Sequence, residues 1–168
     1  MKKLAAMLSI LLFSLSFCAC DPTTYVIQRE SLNEVTGVEL IEYENPNQKS
    51  FNSWVFDQYD KLVPFNNENV TVLETLPSET VSDFLDSFSQ TDILHTYYAY
   101  DSPKDICIRL HYSNGNFLII WADYKHESFG GYIGEYLSDG TVSSFWGSFS
   151  ALFYYENLVH SYFSVTLY

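Results

Sequence analysis

The chain has 168 residues, of which 47% are apolar and 17% charged, a composition that excludes wholesale disorder and suits one domain of ordinary size. Acidic residues outnumber basic ones by 21 to 8, which gives a formal net charge of −13. Because nucleic acids and anionic lipid surfaces are bound through clustered Lys and Arg, this balance excludes both as electrostatic partners and favours either simple solubility or a cationic partner.

The N-terminus has the pattern of an export signal. Lys2 and Lys3 precede a mainly apolar stretch, residues 4–17. A bilayer-spanning helix needs about 20 apolar residues, so the shorter stretch predicts a removable signal. The next residues, Phe17-Cys18-Ala19-Cys20, resemble the lipobox of bacterial lipoproteins. That resemblance implies cleavage before Cys20 and attachment of lipid to Cys20. Bulky Phe17 would occupy the cleavage site if Cys18 were the lipidated residue instead.

Lipidation would hold the protein at the cell membrane, on its extracytoplasmic face, because two or more acyl chains anchor stably. We therefore expect a signal peptide at 1–19, a lipid-anchored tether at 20–30 and a single α+β domain at 31–168.

After cleavage Cys107 is the only cysteine besides the lipidated one, which excludes an intramolecular disulfide. A thiol in an exported protein is safe when it is buried, so we expect Cys107 to be buried.

The first half of the domain predicts strands and one helix. Residues 35–43 and 70–76 are rich in β-branched side chains and read as strands. Pro77 then opens a helix for which Ser78 is a plausible N-cap. One face of this helix carries apolar residues at i, i+3, i+4 and i+7. They are Val81, Phe84, Leu85 and Phe88.

The second half predicts a run of hairpins and a closing helix. The predicted strands are 93–100, 105–112, 116–123, 129–137 and 141–146, with turns at 101–104, Asn114-Gly115 and Asp139-Gly140. Residues 148–163 read as a helix. The predicted fold class is therefore α+β, an antiparallel meander sheet of about five or more strands with two helices packed on it.

A two-residue turn at Asn114-Gly115 would set Tyr112 opposite Phe117 and place the large apolar residues of both strands on one face. The other face would be mixed and would carry a small group of binding candidates. They are Tyr98, Tyr100, Arg109 and His111. The alternative is that other elements cover this face and that Arg109 pairs with a carboxylate.

No catalytic constellation, metal site or cofactor motif is evident. Cys107 and His111 lie four residues apart in one strand, roughly 13 Å, which is too far for a thiol–imidazole hydrogen bond. The four His residues lack recurrent metal-ligand spacing. With 21 acidic residues some carboxylate pair is bound to occur, so a carboxylate or His site of a hydrolase stays only as an alternative.

Fourteen tyrosines are more than the core of such a domain needs, although strands favour Tyr. Their rigid rings suit a protein interface or the stacking of sugar rings.

The chain also resembles small lipoproteins of Gram-positive bacteria, in the lipobox, in VELIEY-ENPN, in LPSETVSDFLDSF and in a hairpin carrying NGN. The resemblance implies surface exposure. We expect a membrane-anchored, non-enzymatic protein- or peptide-binding or immunity-like accessory domain, with a cell-wall glycan-binding module as an alternative.

Overall fold

The computed structural model describes residues 24–44, 64–89, 92–94, 104–122, 131–149 and 152–165. These residues form one antiparallel sheet and two α-helices, which confirms an α+β arrangement. The strands are β1 (Thr24–Val26), β2 (Val35–Glu44), β3 (Val70–Thr75), β4 (Asp92–Leu94), β5 (Lys104–Tyr112), β6 (Phe117–Ala122), β7 (Gly131–Tyr136) and β8 (Val142–Phe149). The helices are α1 (Ser78–Phe88) and α2 (Leu152–Tyr162), and 3-10 helices span Arg29–Leu32 and Asn67–Asn69.

The strand order is β1-β4-β8-β7-β6-β5-β2-β3, so the meander comprises the four consecutive strands β5 to β8. The predicted five-strand meander is wrong at its first hairpin, because β4 pairs with β1 and β8 and not with β5. The place beside β5 belongs to β2, whose ladder with β5 runs from Val35 opposite Tyr112 to Glu44 opposite Lys104. This long ladder forms because β2 buries apolar side chains on both faces, as a central strand does.

The β5–β6 hairpin differs from the prediction by one residue. The backbone N–H of Tyr112 donates to the Asn116 carbonyl at 2.9 Å, and that of Gly115 donates to the Tyr112 carbonyl at 3.0 Å. Gly115 has a φ of 88°, so the loop has three residues and ends in a left-handed glycine. His111, not Tyr112, therefore lies opposite Phe117. A slip of one residue exchanges the two faces of β6, which corrects the predicted composition of both sheet faces.

On one face the sheet packs against both helices. Ile108 and Leu110 of β5, with Leu118 and Ile120 of β6, form the centre of this core. The apolar stripe predicted for the first helix is confirmed, since all four of its residues are buried. The N-cap is Pro77 and not Ser78, which is already helical. Burial of each large apolar side chain contributes about 1.5–3 kcal/mol.

Helix α2 starts later than predicted, because β8 continues through Phe149. Val159 and the adjoining Phe163 are buried in the same core as α1. The Tyr162 hydroxyl lies 2.6 Å from the Ser87 hydroxyl and donates to the Asp83 carbonyl at 2.9 Å. These polar contacts fix α2 against α1.

The opposite face carries an aromatic cluster beneath a short segment, residues 64–69, which we call the strap. Phe65 of the strap is 4% exposed and lies against four rings of the sheet, with centroid distances of 4.7–5.7 Å. Those rings belong to Tyr43, Phe117, Trp121 and Tyr136. The backbone N–H of Phe65 donates to the Gly140 carbonyl at 2.8 Å, which ties the strap to the β7–β8 turn. Cys107 is fully buried in this cluster, as expected from the sequence.

The ordered fold begins earlier than residue 31. β1 is a strand of the sheet, and Ile27, which is 3% exposed, is buried in the core on the helix side. The sequence suggests instead a tether through residue 30. Within the described ranges no helix has both the length and the apolar character needed to cross a membrane.

Candidate functional site

Beside the aromatic cluster, three charged or titratable side chains meet on the strap side of the sheet. Arg109 on β5 lies directly opposite Glu39 on β2, and His111 is two residues farther along β5. Because side chains of residues i and i+2 share a face, this register brings all three together. We call Glu39, Arg109 and His111 the polar cluster.

One carboxylate oxygen accepts three hydrogen bonds in the polar cluster. Glu39 Oε2 lies 2.6 Å from Arg109 Nη2, 3.0 Å from Arg109 Nε and 2.8 Å from His111 Nε2. An ionised carboxylate only accepts hydrogen bonds, so Nε2 of His111 carries a proton. In the neutral imidazole this leaves Nδ1 as the basic nitrogen.

The strap contributes the next contact. Arg109 Nη1 donates to the side-chain oxygen of Asn67 at 3.3 Å, and the backbone N–H of Asn66 donates to the Tyr43 hydroxyl at 3.2 Å. The strap is therefore held by Phe65 in the aromatic cluster and by Asn67 at the polar cluster. The Arg109 guanidinium connects the sheet to the strap.

Burial acts to raise the pKa of Glu39, but the hydrogen bonds from His111 and Arg109, together with their charges, outweigh it. The pKa of Glu39 is consequently held below its ordinary value of 4.5. The carboxylate is ionised at neutral pH and balances the Arg109 charge.

Access to the polar cluster is limited. The exposed fractions of the side chains are 12% for Arg109, 18% for Glu39 and 36% for His111.

A cleft of about 200 Å³ lies elsewhere, against α1 and α2. Its lining residues are Ser87, Asn157, Leu158, Ser161 and Tyr162. Among the described residues no group of three or more His, Cys, Asp or Glu side chains is placed to hold a metal ion.

The structure brings together two of the four binding candidates, Arg109 and His111. Tyr98 and Tyr100 lie outside the described residues, as does Cys20. Arg109 pairs with a carboxylate, which is the arrangement that the sequence offers as the alternative to an open binding face. Sequence reasoning misses Glu39 and Asn67, because their partner Arg109 is 70 and 42 residues away along the chain.

Three large apolar side chains are exposed among the residues whose burial the structure describes, and all three are aliphatic. They are Val72 at 46%, Leu137 at 40% and Leu73 at 37%. Two of them are neighbours on β3, which has β2 on one side and ends the order of described strands. The five rings of the aromatic cluster, in contrast, are buried against one another, and Phe145 packs beside them partly buried.

Comparison of this chain with protein-family models, with curated proteins and with solved structures found no match.

Proposed function

We propose that this protein is anchored through lipid on Cys20 to the extracytoplasmic face of a cell membrane, where it binds a protein or peptide without catalysing a reaction. The observation that carries the anchoring proposal is the sequence Phe17-Cys18-Ala19-Cys20 after a basic and then apolar N-terminus. The formal net charge of −13 opposes electrostatic attachment to anionic lipid, so an acyl anchor is the mode of attachment that suits this chain.

The fold gives this anchor a geometrical consequence. Thr24, the first residue of β1, is four positions after Cys20, so at about 3.3–3.6 Å per residue their Cα atoms are at most about 14 Å apart. Among the described strands, β1 is one edge of the sheet and β3 is the other. Seven spacings of about 4.8 Å set these two strands roughly 34 Å apart. Anchoring at Cys20 would keep the β1 edge near the membrane and leave the β3 edge farther from it.

The exposed apolar side chains that the structure describes support a peptide or protein ligand. They are Val72, Leu73 and Leu137. Aliphatic side chains of this kind suit contacts with apolar side chains of another polypeptide.

A hydrolase is the second candidate, and the contact that favours it is the 2.8 Å hydrogen bond between Glu39 and His111. A carboxylate that orients an imidazole is half of a general-base arrangement. The same carboxylate also pairs with Arg109 at 2.6 Å, and this ion pair stabilises the packing of β2 against β5. If His111 acted as a base, His111→Gln would abolish turnover while leaving the thermal midpoint of unfolding within a few degrees.

The anchoring proposal is tested by two matched cysteine variants of the full chain in its native host. Cys20→Ala should abolish metabolic labelling with fatty acid and shift the protein from the membrane fraction to the soluble fraction. Cys18→Ala removes a thiol two residues away and, because Cys18 is expected to leave with the signal, should retain both labelling and membrane association.

Labelling that persists in Cys20→Ala, or that disappears only in Cys18→Ala, would place the lipid elsewhere and contradict the proposal. Co-purification from detergent-solubilised membranes, with Cys20→Ala as the comparison, tests the binding role. A partner recovered above background is expected.

A further inference from the structure

The outer edge of β3 combines three features that favour pairing with another strand. β3 is six residues long, it contains no Pro, Lys or Arg, and β2 is its one neighbour among the described strands. Its side chains are mostly exposed, and Val72 and Leu73 expose 46% and 37% of their surface. Proteins commonly protect such edges with Lys or Pro, and an unprotected apolar edge is a site for strand addition.

The charge around this edge indicates which kind of strand would pair there. β3 and the described residues that flank it, 64–80, contain three acidic residues and no Lys, Arg or His. Glu68 immediately before β3 and Glu79 at the start of α1 are both exposed. Two described basic residues lie on β5, two strands from β3. Arg109 is 12% exposed and is paired with Glu39, and Lys104 lies opposite Glu44 on β2. The electrostatic potential along β3 therefore favours a cationic segment.

A second copy of this chain fits the edge poorly. Antiparallel pairing of β3 with its own copy would bring Glu68 of one molecule toward Glu74 of the other, and two chains of formal charge −13 repel. The ladder between β2 and β3 also shifts register between Leu40 and Ile41, which leaves Leu73 as an extra residue on β3. Such a bulge increases the local twist and opposes pairing with a rigid strand, whereas an extended peptide can follow it.

We propose that the outer edge of β3 is the binding surface of this protein and that the partner adds a basic, extended segment to it as a further strand. In this complex, backbone groups of the segment pair with β3, its apolar residues pack on Val72 and Leu73, and its Lys or Arg residues lie near Glu68 and Glu79. The inference rests on the proposed binding function and names its surface and the chemistry of its partner.

The binding test uses the full chain in nonionic detergent and a fluorescent peptide of sequence Lys-Val-Lys-Val-Lys-Val-Lys, with affinity measured by anisotropy. The expected result is saturable binding that weakens as salt is added. Val72→Lys and Leu73→Lys should each lower the affinity about tenfold, because Lys on an edge opposes strand pairing. Leu137→Lys is the matched control, since Leu137 is equally aliphatic and 40% exposed but lies after β7.

Two further measurements separate strand addition from attraction between charges. The peptide Lys-Pro-Lys-Pro-Lys-Pro-Lys has the same charge but lacks alternate N–H donors, so it should bind at least about tenfold more weakly. Amide hydrogen exchange should slow at residues 70–75 when the valine peptide binds, and it should stay unchanged with the proline peptide.

Equal affinity of Val72→Lys and Leu137→Lys, equal binding of the two peptides, or unchanged exchange at residues 70–75 would each overturn the proposal. So would a dimer in sedimentation that Val72→Lys abolishes, because the occupant would then be a second copy. None of these outcomes affects lipid labelling at Cys20, so failure here and failure of anchoring are distinguishable.

Discussion

Glu39 is the residue on which the strap side of the sheet depends. Its carboxylate receives three hydrogen bonds from Arg109 and His111, and Arg109 in turn holds Asn67 of the strap. Both members of the Glu39–Arg109 pair are more than four-fifths buried. Removing one charge from a buried pair leaves the other without compensation, which costs more than the pair itself contributes.

Glu39→Gln should therefore destabilise the protein by about 1–3 kcal/mol at pH 7, measured as the free energy of unfolding in urea. Asp86→Asn is the matched control, because it also removes a carboxylate from a 2.7 Å pair with an arginine, Arg29, but at a site where the two side chains are 64% and 32% exposed. That variant should cost less than about 1 kcal/mol. Equal costs for the two variants would contradict the role given to Glu39.

The same pair predicts a dependence of stability on pH. The pKa of Glu39 is lowered in the folded protein, so its contribution is present above the ordinary value of 4.5 and is lost as pH falls through the lower folded value. The difference in unfolding free energy between the wild type and Glu39→Gln should accordingly shrink as pH is lowered below 4.5. A difference that stays constant or grows with acidification would show that the Glu39 charge is not the source of the stabilisation.

At the scale of elements, local patterns in the sequence predict what is local in the structure. The 3.6-residue period of Val81, Phe84, Leu85 and Phe88 identifies α1, because one buried stripe is enough to specify a helix. The pairing of β2 with β5 joins residues about 70 positions apart, and no local pattern carries that information. Glu39 was missed for the same reason.

The hairpin between β5 and β6 shows how a correct turn can accompany a wrong register. Asn114-Gly115 is compatible with a two-residue turn and with a three-residue loop that ends in a left-handed Gly115, since glycine serves both. The structure has the second form, which places Phe117, Ile119 and Trp121 on the face of Arg109 and His111. The alternation of β6 could not decide between them, because both of its faces are apolar and buried.

The contact between the strap and Gly140 of the β7–β8 turn leads to a further prediction. Gly140 and Gly115 both have positive φ, 85° and 88°, so alanine at either is strained by about 1–2 kcal/mol. A Cβ at Gly140 would also collide with the Phe65 carbonyl oxygen, whereas at Gly115 it would meet Ser138 at an ordinary 3.6 Å.

Gly140→Ala should therefore lower the unfolding free energy by about 1 kcal/mol or more beyond Gly115→Ala, since the strap must move away from its turn. Because Phe65 covers Trp121, Gly140→Ala should also shift the tryptophan emission spectrum more than Gly115→Ala does. Identical stabilities and spectra for the two variants would show that the strap is not fixed by Gly140.

At the scale of the whole molecule, the account joins an acidic domain to a membrane through its first strand. Anchoring near β1 and peptide addition at β3 use opposite edges of one sheet, so both can occur together. The formal charge of −13 would attract the proposed basic segment and opposes self-association. The composition is compatible with simple solubility or with a cationic partner, whereas the edge proposed for binding depends on strand order, which the sequence does not reveal.

Mass spectrometry of the N-terminal peptide, from protein isolated from its native membrane, shows whether Cys20 carries the lipid. We expect the peptide to begin at Cys20 and to carry the mass of a diacylglyceryl group on its sulfur. A peptide that begins at Met1, or at Cys20 with an unmodified thiol, would contradict that expectation.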